Sequence, residues 1–331
     1  MKSIFNIKSI FTTTILSGSV LVFAAFGNPT DSGIPAITQE TEVSENYLLI
    51  NHVSGETYVP INPQLIAIFE MAILSTLDYL GLGDRIIGLN HNQIPAHLSH
   101  FDPTGDNNLH DFGTLHDPNI EELIVHDIDL IIISGRARPH FDELSLIAPT
   151  IDLGLEPGNQ TPSFFENMRA IGAIFEIEEE IEKSLDNIES EIESLRELAS
   201  EIDKNALIIL HNEGQFRAHG PGGRWMLIHD DIGIPSINMD IEAVNHGSLI
   251  SSEYILYENP DIIFVMDRTE VVEGLQLDRS VIENEIIQLT DAFQNNNIIY
   301  LDTWTWYISP GSLIGFEQQL AEIRTALENV N

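Results

Sequence analysis

The chain has 331 residues, of which 52 are Asp or Glu and 14 are Lys or Arg, giving a formal net charge of −38. Its 43% of hydrophobic residues can bury enough surface to form a core, which excludes a disordered protein, and its length fits about two domains. The excess of acid excludes nucleic acid as a partner, because binding a polyphosphate depends on Lys and Arg. The absence of cysteine excludes disulfides, thiolate metal sites and a thiol nucleophile.

Acidic residues run through the whole chain, whereas lysine occurs only at Lys2, Lys8, Lys183 and Lys204. A surface of this kind is typical of high ionic strength, where salt screens the repulsion between like charges. We therefore expect a salt-adapted, halophilic protein that is exposed to the medium.

Residues 1–27 contain two Lys and no acid, and the apolar stretch from Ile15 to Phe26 ends among small residues. This layout predicts a secretory signal peptide, since the stretch is too short to span a membrane; an uncleaved anchor is the alternative. Without a cysteine to carry a lipid, export predicts a soluble periplasmic protein. Residues 28–45 are rich in Pro, Thr, Ser and Glu and are predicted to be a flexible leader.

From Asn46 onward, short runs of Ile, Leu and Val alternate with amphipathic segments. Continuous apolar runs such as Leu130-Ile-Ile-Ile133 are typical of strands buried on both faces, as in the parallel sheets of α/β proteins. The pattern predicts helices over Leu65–Leu80 and Ile120–His126. The predicted strands are Ile86–Leu89, Leu130–Ser134, Ile151–Leu153, Ala206–His211, Ile262–Asp267 and Ile298–Asp302.

The segment Glu176–Ile202 predicts one long helix, because its apolar residues recur at steps of three, four and seven and form a single stripe. Such a helix runs roughly 40 Å, longer than one domain needs. A coiled-coil dimer is the alternative, but the flanking α/β units favour a helix lying across two lobes. The expected fold is α/β, with two Rossmann-like lobes over 46–170 and 204–331 joined by a linking helix over 171–203.

Five arginines fall in predicted loops, and two of them, Arg136 and Arg268, follow directly after a predicted strand in each lobe. Ligands of open α/β sheets bind beyond the carboxyl ends of the strands. Guanidinium groups at those ends indicate an anionic, oxygen-rich ligand held between the lobes. For each arginine taken singly, a surface ion pair is the alternative. The five are Arg136, Arg138, Arg217, Arg224 and Arg268.

His246 and Tyr307 are candidate iron ligands. Tyr307 follows the predicted strand Ile298–Asp302, and His246 follows a turn-rich stretch. Imidazole and phenolate are both good ligands for ferric iron. For each of the two residues taken alone, a purely structural role is the alternative.

Ten motifs occur in order over about residues 57–328: Phe69-Glu-Met-Ala-Ile-Leu74, Leu77-Asp-Tyr-Leu-Gly81, Phe112-Gly-Thr-Leu115, Asp129-Leu-Ile-Ile-Ile-Ser-Gly-Arg136, Ile147-Ala-Pro-Thr-Ile-Asp-Leu-Gly154, Gly220-Pro-Gly-Gly-Arg-Trp225, Ile228-His-Asp-Asp-Ile-Gly233, Glu258-Asn-Pro-Asp261, Val265-Met-Asp-Arg268 and Trp306-Tyr-Ile-Ser309. Together they closely resemble the ferric-siderophore-binding proteins of bacterial ABC importers, in the branch that carries catecholate siderophores.

The resemblance implies two Rossmann-like lobes on one long helix, with the ligand in the cleft and little hinge motion. It matches Arg136, Arg224 and Arg268 to three arginines that line the anion pocket. It matches His246 and Tyr307 to side chains that complete the coordination of iron when the siderophore leaves two positions open. The implied protein is a monomer without an intrinsic cofactor, which carries an Fe(III)-siderophore as its transported ligand.

The resemblance also implies docking to an ABC permease through an acidic residue on each lobe. Asp230 matches the acid of the C-terminal lobe, but the matching position of the first helix holds Ser75. Glu70 is a possible substitute, although five residues away it would face elsewhere on a helix.

Two other cargoes suit the same fold. A zinc or manganese carrier is suggested by His91, His97, His100, His110 and His116, since zinc takes three or four such ligands, whereas a solvated loop is the alternative. A haem or cobalamin carrier fits the architecture but not the arginines. Catalysis is not expected, because the hydrolase, zincin and nucleotide-binding motifs are absent and Gly220-Pro-Gly-Gly lacks the lysine of a phosphate loop.

Overall fold

The computed structural model describes residues 46–237, 247–274 and 278–330. The predicted signal peptide and leader, residues 1–45, and His246 lie outside the described residues. No helix in the described ranges is both long and apolar enough to cross a membrane.

The first half of the described chain builds a five-stranded sheet in which all the strands are parallel, in the order β5-β4-β3-β6-β7. An antiparallel hairpin of β1 and β2 precedes it and contacts β7. The strands are β1 Tyr47–His52, β2 Gly55–Pro60, β3 Ile66–Ile68, β4 Ile86–Leu89, β5 His110–Asp111, β6 Leu130–Ile133 and β7 Thr150–Asp152, with helices α1 Met71–Tyr79, α2 Ile120–Ile124 and α3 Phe141–Leu144.

Two long helices, α4 Gln160–Phe175 and α5 Glu178–Glu201, lead from the first sheet to the second. The second sheet has the order β10-β9-β8-β11-β12. Strands β8, β11 and β12 pair in parallel, whereas β9 pairs antiparallel with both of its neighbours, β8 and β10. Its elements are β8 Ala206–Asn212, β9 Gln215–His219, β10 Ser248–Ile250, α6 Ser252–Glu258, β11 Ile262–Asp267, α7 Arg268–Glu273, α8 Arg279–Ile282, α9 Asp291–Gln294, β12 Ile298–Tyr300 and α10 Leu313–Asn329.

The apolar stripe of α5 is covered by the chain itself. Helices α4 and α10 contact α5, and the stripe residues Ile181, Leu185, Ile188, Ile192 and Leu195 are all buried. The coiled-coil alternative is therefore wrong, because the face that would bind a second chain is already packed.

Helix α10 also returns to the first lobe. It contacts α1, and the backbone N–H of Leu313 donates to Thr76 Oγ1 at 3.0 Å. Its Phe316 stacks on Phe164 of α4 with ring centroids 4.3 Å apart. The two lobes are thus connected by packing as well as by the covalent path through α4 and α5.

The predicted α/β class and the six predicted strands are confirmed, but the helix predicted over Leu65–Leu80 is wrong at its start. Residues Ile66–Ile68 form β3, which pairs with β4 along one edge and with β6 along the other, and all three residues are buried. Helix α1 begins only at Met71, after the Glu70 side chain accepts the N–H of Ala72.

The predicted long helix begins at Glu178 instead of Glu176. Glu176 has a φ of 59° and ends α4 in the left-handed region. The division of the chain into lobes over 46–170 and 204–331 with a linker over 171–203 stays a prediction.

Candidate functional site

A cleft of about 570 Å³ lies between segments that leave the two sheets. Ser134 to Arg138 follow β6 and Leu153 to Leu155 follow β7, whereas Arg224 and Tyr307 come from the second half of the chain. Its size falls within the range of about 300–1,000 Å³ that is usual for sites of small molecules. The cleft therefore lies where the strand-end rule places ligands of α/β sheets.

Tyr307 is the point at which three of the predicted arginines meet. It belongs to a π-helical turn, Trp304–Ile308, and its backbone carbonyl accepts Nη2 of Arg224 at 3.0 Å and Nη2 of Arg136 at 3.5 Å. Its hydroxyl accepts Nε of Arg268 at 3.0 Å, so Arg268 joins this group through Tyr307, although it does not itself line the cleft. The guanidinium carbon of Arg224 also lies 4.2 Å from the centre of the Tyr307 ring, within cation–π range.

The register of the second sheet fixes Arg268. Strands β8 and β11 are parallel with His211 opposite Asp267, so Asn212 and Arg268 leave the sheet side by side. Nη1 of Arg268 donates to Asn212 Oδ1 at 2.8 Å. Below them, Nδ1 of His211 and Oδ1 of Asp267 form a buried contact of 2.8 Å. Asn212 was missed in the sequence, although it obeys the same strand-end rule as Arg268.

Arg224 is held by its own loop and by a neighbouring tryptophan. The backbone N–H of Gly222 donates to Asp230 Oδ2 at 2.8 Å, and Nε1 of Trp225 donates to the carbonyl of Trp306 at 3.0 Å. The second bond ties the Arg224 segment to the turn that contains Tyr307. Asp230 is exposed, as a residue that contacts a permease must be.

Arg136 and Arg138 have different surroundings although they belong to one loop. Nε and Nη2 of Arg138 donate to the buried carboxylate of Asp152, with 3.3 Å between Nη2 and Oδ1. Among the described residues, neither Arg136 nor Arg224 nor Arg268 forms an ion pair with a carboxylate. Three guanidinium charges are thus concentrated around Tyr307 without an ion pair to a carboxylate of the described residues.

The pKa values of two residues in this group are shifted. Burial lowers the pKa of Arg224, Tyr307 opposes that shift, and the nearby charges of Arg136 and Arg268 lower the pKa further. Burial alone would raise the pKa of the Tyr307 phenol, but the charge of Arg224 and the hydrogen bond and charge of Arg268 outweigh it, so that pKa lies below its ordinary value. The site therefore stabilises an anion.

Glu70 is a cleft residue and not a docking residue. Its side chain is buried, borders the cleft and caps α1. Burial raises the pKa of its carboxyl, while the hydrogen bond with Ser134 and the charge of Arg136 act to lower that pKa. Ser75 is also buried, so neither residue presents an acid to a permease. The sequence does not predict the place of Glu70, because the predicted helix over Leu65–Leu80 includes β3.

The five predicted histidines do not form a common ligand set. His91 pairs with Asp111 and His100 with Asp78, while His116 borders the cleft. Only His110 of the five belongs to a group of at least three candidate metal ligands among the residues that the structure describes. Arg217, on β9, donates to the carbonyl of Gly247 at 3.4 Å and does not border the cleft.

We expect Tyr307 to ionise ahead of the other tyrosines when the ligand-free protein is titrated with base. Because its folded-state pKa is lowered, the phenolate contributes stability that is fully present above the unfolded-state pKa of a tyrosine. That stability is lost as the pH falls through the folded-state pKa. Tyr307→Phe should remove the earliest phase of the tyrosinate absorbance titration. Tyr300→Phe is the matched control and should remove a late phase, since burial and Glu283 raise the pKa of Tyr300. An unchanged first phase in Tyr307→Phe would contradict the assignment.

Comparison with known proteins agrees with the motifs. The petrobactin-binding protein YclQ of Bacillus subtilis (strain 168) is 36% identical over 310 residues, which cover 94% of this chain and 96% of YclQ. The ferric-anguibactin-binding protein FatB of Vibrio anguillarum (strain ATCC 68554 / 775) is 28% identical over 293 residues, covering 87% of this chain and 90% of FatB.

Solved structures show the same two-lobe fold. The crystal structure of YclQ superposes with a TM-score of 0.80 at 37% identity, over 85% of this chain and 99% of that one. The periplasmic catecholate-siderophore binding protein VctP of Vibrio cholerae superposes with a TM-score of 0.79 at 28% identity, over 84% of this chain and 99% of VctP. These likenesses confirm the predicted fold of two α/β lobes.

The resemblance read from the ten motifs is confirmed by the family comparison. Residues 66–304 match the family described as "Periplasmic binding protein", and that match spans both sheets and the cleft between them. The chain belongs to this family of periplasmic binding proteins.

Proposed function

We propose that the chain binds a ferric catecholate siderophore in the cleft and delivers it to an ABC permease for iron uptake. The observation that carries this proposal is the meeting of Arg136, Arg224 and Arg268 at Tyr307 without partner carboxylates. The similarity to proteins that bind petrobactin, ferric anguibactin and catecholate siderophores supports it. A zinc, manganese, haem or cobalamin cargo is not favoured by these relatives.

The charge of the ligand matches the charge of the site. A ferric complex of three deprotonated catechols carries three negative charges, and three guanidinium groups offset them while their N–H groups donate to catecholate oxygens. Burial is the main cause that lowers the pKa of Arg224, and the charges of Arg136 and Arg268 add to it. An anionic ligand offsets the mutual repulsion of the three positive charges, and this favours its binding.

Iron is the cargo of this site and not a resident cofactor. The relatives are substrate-binding proteins, and we infer that this chain likewise performs no catalysis. We infer further that Tyr307 and His246 coordinate iron when a bis-catecholate leaves two positions open. The depressed pKa of Tyr307 favours this role, because phenolate is a hard oxygen donor suited to ferric iron.

Delivery requires a surface that a permease can recognise. We infer that the exposed Asp230 forms part of that surface and that the protein works as a monomer. Because Asp230 also accepts the N–H of Gly222, the same side chain connects the docking surface to the loop of Arg224. Export through the signal peptide of residues 1–27 would place the mature protein in the periplasm, outside the cytoplasmic membrane.

Removing an arginine that contacts Tyr307 should weaken binding of a ferric tris-catecholate. Arg136→Ala and Arg268→Ala should each cost at least about 1 kcal/mol, roughly a fivefold rise in Kd, because each loses a charge-assisted hydrogen bond. Quenching of tryptophan fluorescence during titration in high salt measures the Kd. Arg169→Ala is the matched control, since Arg169 pairs with Glu182 on an exposed helical surface and should leave Kd unchanged. Unchanged affinity in both Arg136→Ala and Arg268→Ala would refute the proposed binding site.

The iron ligands should be visible in the spectrum of a bis-catecholate complex. Tyr307→Phe and His246→Ala should shift its charge-transfer band and weaken its binding, because both leave a coordination position to water. The tris-catecholate complex is the internal control, since its iron has no open position and its band should stay in place. If wild type and the double variant give identical bis-catecholate spectra, neither side chain touches iron.

Salt should stabilise the folded protein, as expected for a halophilic chain with a net charge of −38. The melting temperature at neutral pH should rise with NaCl concentration, because salt screens repulsion between surface carboxylates. The dependence should shrink near the isoelectric pH of about 4.3, where fewer carboxylates are charged. A melting temperature that ignores salt at neutral pH contradicts this proposal.

A further inference from the structure

Three potential metal ligands meet at the outer edge of the first sheet, in a place that the siderophore cleft does not include. They are His110, Glu122 and His126, and one donor atom from each lies within 4.8 Å of the other two. None of them borders the cleft. We propose that these three side chains form a binding site for a divalent transition metal ion of the zinc type.

The fold holds the three residues in place without a metal. His110 lies on the edge strand β5 and is fixed by its parallel pairing with Gly88 of β4. Glu122 and His126 are four residues apart, one on α2 and the other just beyond its end, and so project from the same face. The start of α2 is tied to the segment after β5, because the N–H of Asn119 donates to the carbonyl of Phe112 at 2.7 Å.

The contacts inside the group are already close. Nε2 of His126 lies 3.1 Å from Oε1 of Glu122, and the rings of His110 and His126 have centroids 3.7 Å apart. The Phe112 ring backs both imidazoles, at 6.0 Å from His110 and 5.7 Å from His126. The side chains of His126 and Glu122 are 22% and 42% exposed, so an ion can enter from solvent.

Two imidazole nitrogens and one carboxylate oxygen are a usual ligand set for zinc, with water at the fourth position. Ligand atoms about 2 Å from a tetrahedral ion lie roughly 3.4 Å from one another. The three donor atoms lie within 4.8 Å of one another, so small side-chain rotations bring them to that spacing. The acidic surface of the chain raises the local concentration of cations. A bound ion would connect the edge strand β5 to α2 and act as a structural clamp, not as cargo.

The alternative is a purely structural group, in which His126 pairs with Glu122 across a helical turn and stacks on His110. Metal binding separates the two interpretations. Untagged, chelator-treated protein is titrated with Zn²⁺ by calorimetry in the absence of siderophore. We expect one saturable zinc site per chain. Glu122→Gln and the double variant His110→Ala/His126→Gln remove direct ligands, so each should weaken it by at least the roughly 10- to 100-fold that the loss of an outer-shell partner costs.

His97→Ala is the matched control, because His97 is an exposed histidine outside the group, and it should bind zinc as the wild type does. Far-ultraviolet circular dichroism checks that each variant is folded. Binding of the ferric siderophore should be unchanged in the variants, so failure here is distinguishable from failure of the proposed function. Absence of saturable binding in the wild type, equal affinity in the group variants, or loss in His97→Ala would each overturn the site.

Discussion

The crowding of three guanidinium groups around Tyr307 is the interaction on which the functional part of the structure depends. Like charges this close repel one another, and burial, with a smaller contribution from Arg136 and Arg268, lowers the pKa of Arg224. The arrangement persists because other interactions hold each arginine: a carbonyl of the π-helical turn for Arg136 and Arg224, and the Tyr307 hydroxyl for Arg268. The fold thus supplies in advance the positive charge that an anionic ligand would otherwise have to assemble.

The rest of the fold keeps the two sides of this group in register. Arg136 comes from the first sheet, whereas Arg224, Arg268 and Tyr307 come from the second, so relative movement of the lobes would separate them. Helix α5 crosses between the sheets, and α10 packs on α1, α5 and Phe164 of α4. The hydrogen bond from Leu313 to Thr76 lies where the turn of Tyr307 leads into α10. A cleft built from two lobes can therefore stay preformed.

The sequence predicted the buried strands and the long helix well, because each has one dominant signal. Runs such as Leu130-Ile-Ile-Ile133 mark strands buried on both faces, and the stripe from Ile181 to Leu195 marks one helix. Prediction failed where two signals overlap: Ile66–Ile68 is a strand of three residues followed at once by a helix, and both are apolar. The short strand β5 carries too little pattern to be predicted.

The candidate site shows the same division between local and long-range information. Arg136 and Arg268 could be predicted because their place depends on the end of a single strand. The role of Tyr307 as the common partner could not be predicted, since it depends on its backbone carbonyl. That carbonyl contacts Arg136, which is 171 positions away in the sequence, and Arg224, which is 83 positions away. The pairing of Arg138 with Asp152 could not be predicted from the sequence either, yet it decides which arginine of the loop is free to bind a ligand. The charge of a side chain can be read from the sequence, whereas tertiary contacts decide whether that charge is available to a ligand. This availability separates the arginines that contact Tyr307 from those that pair with acidic residues.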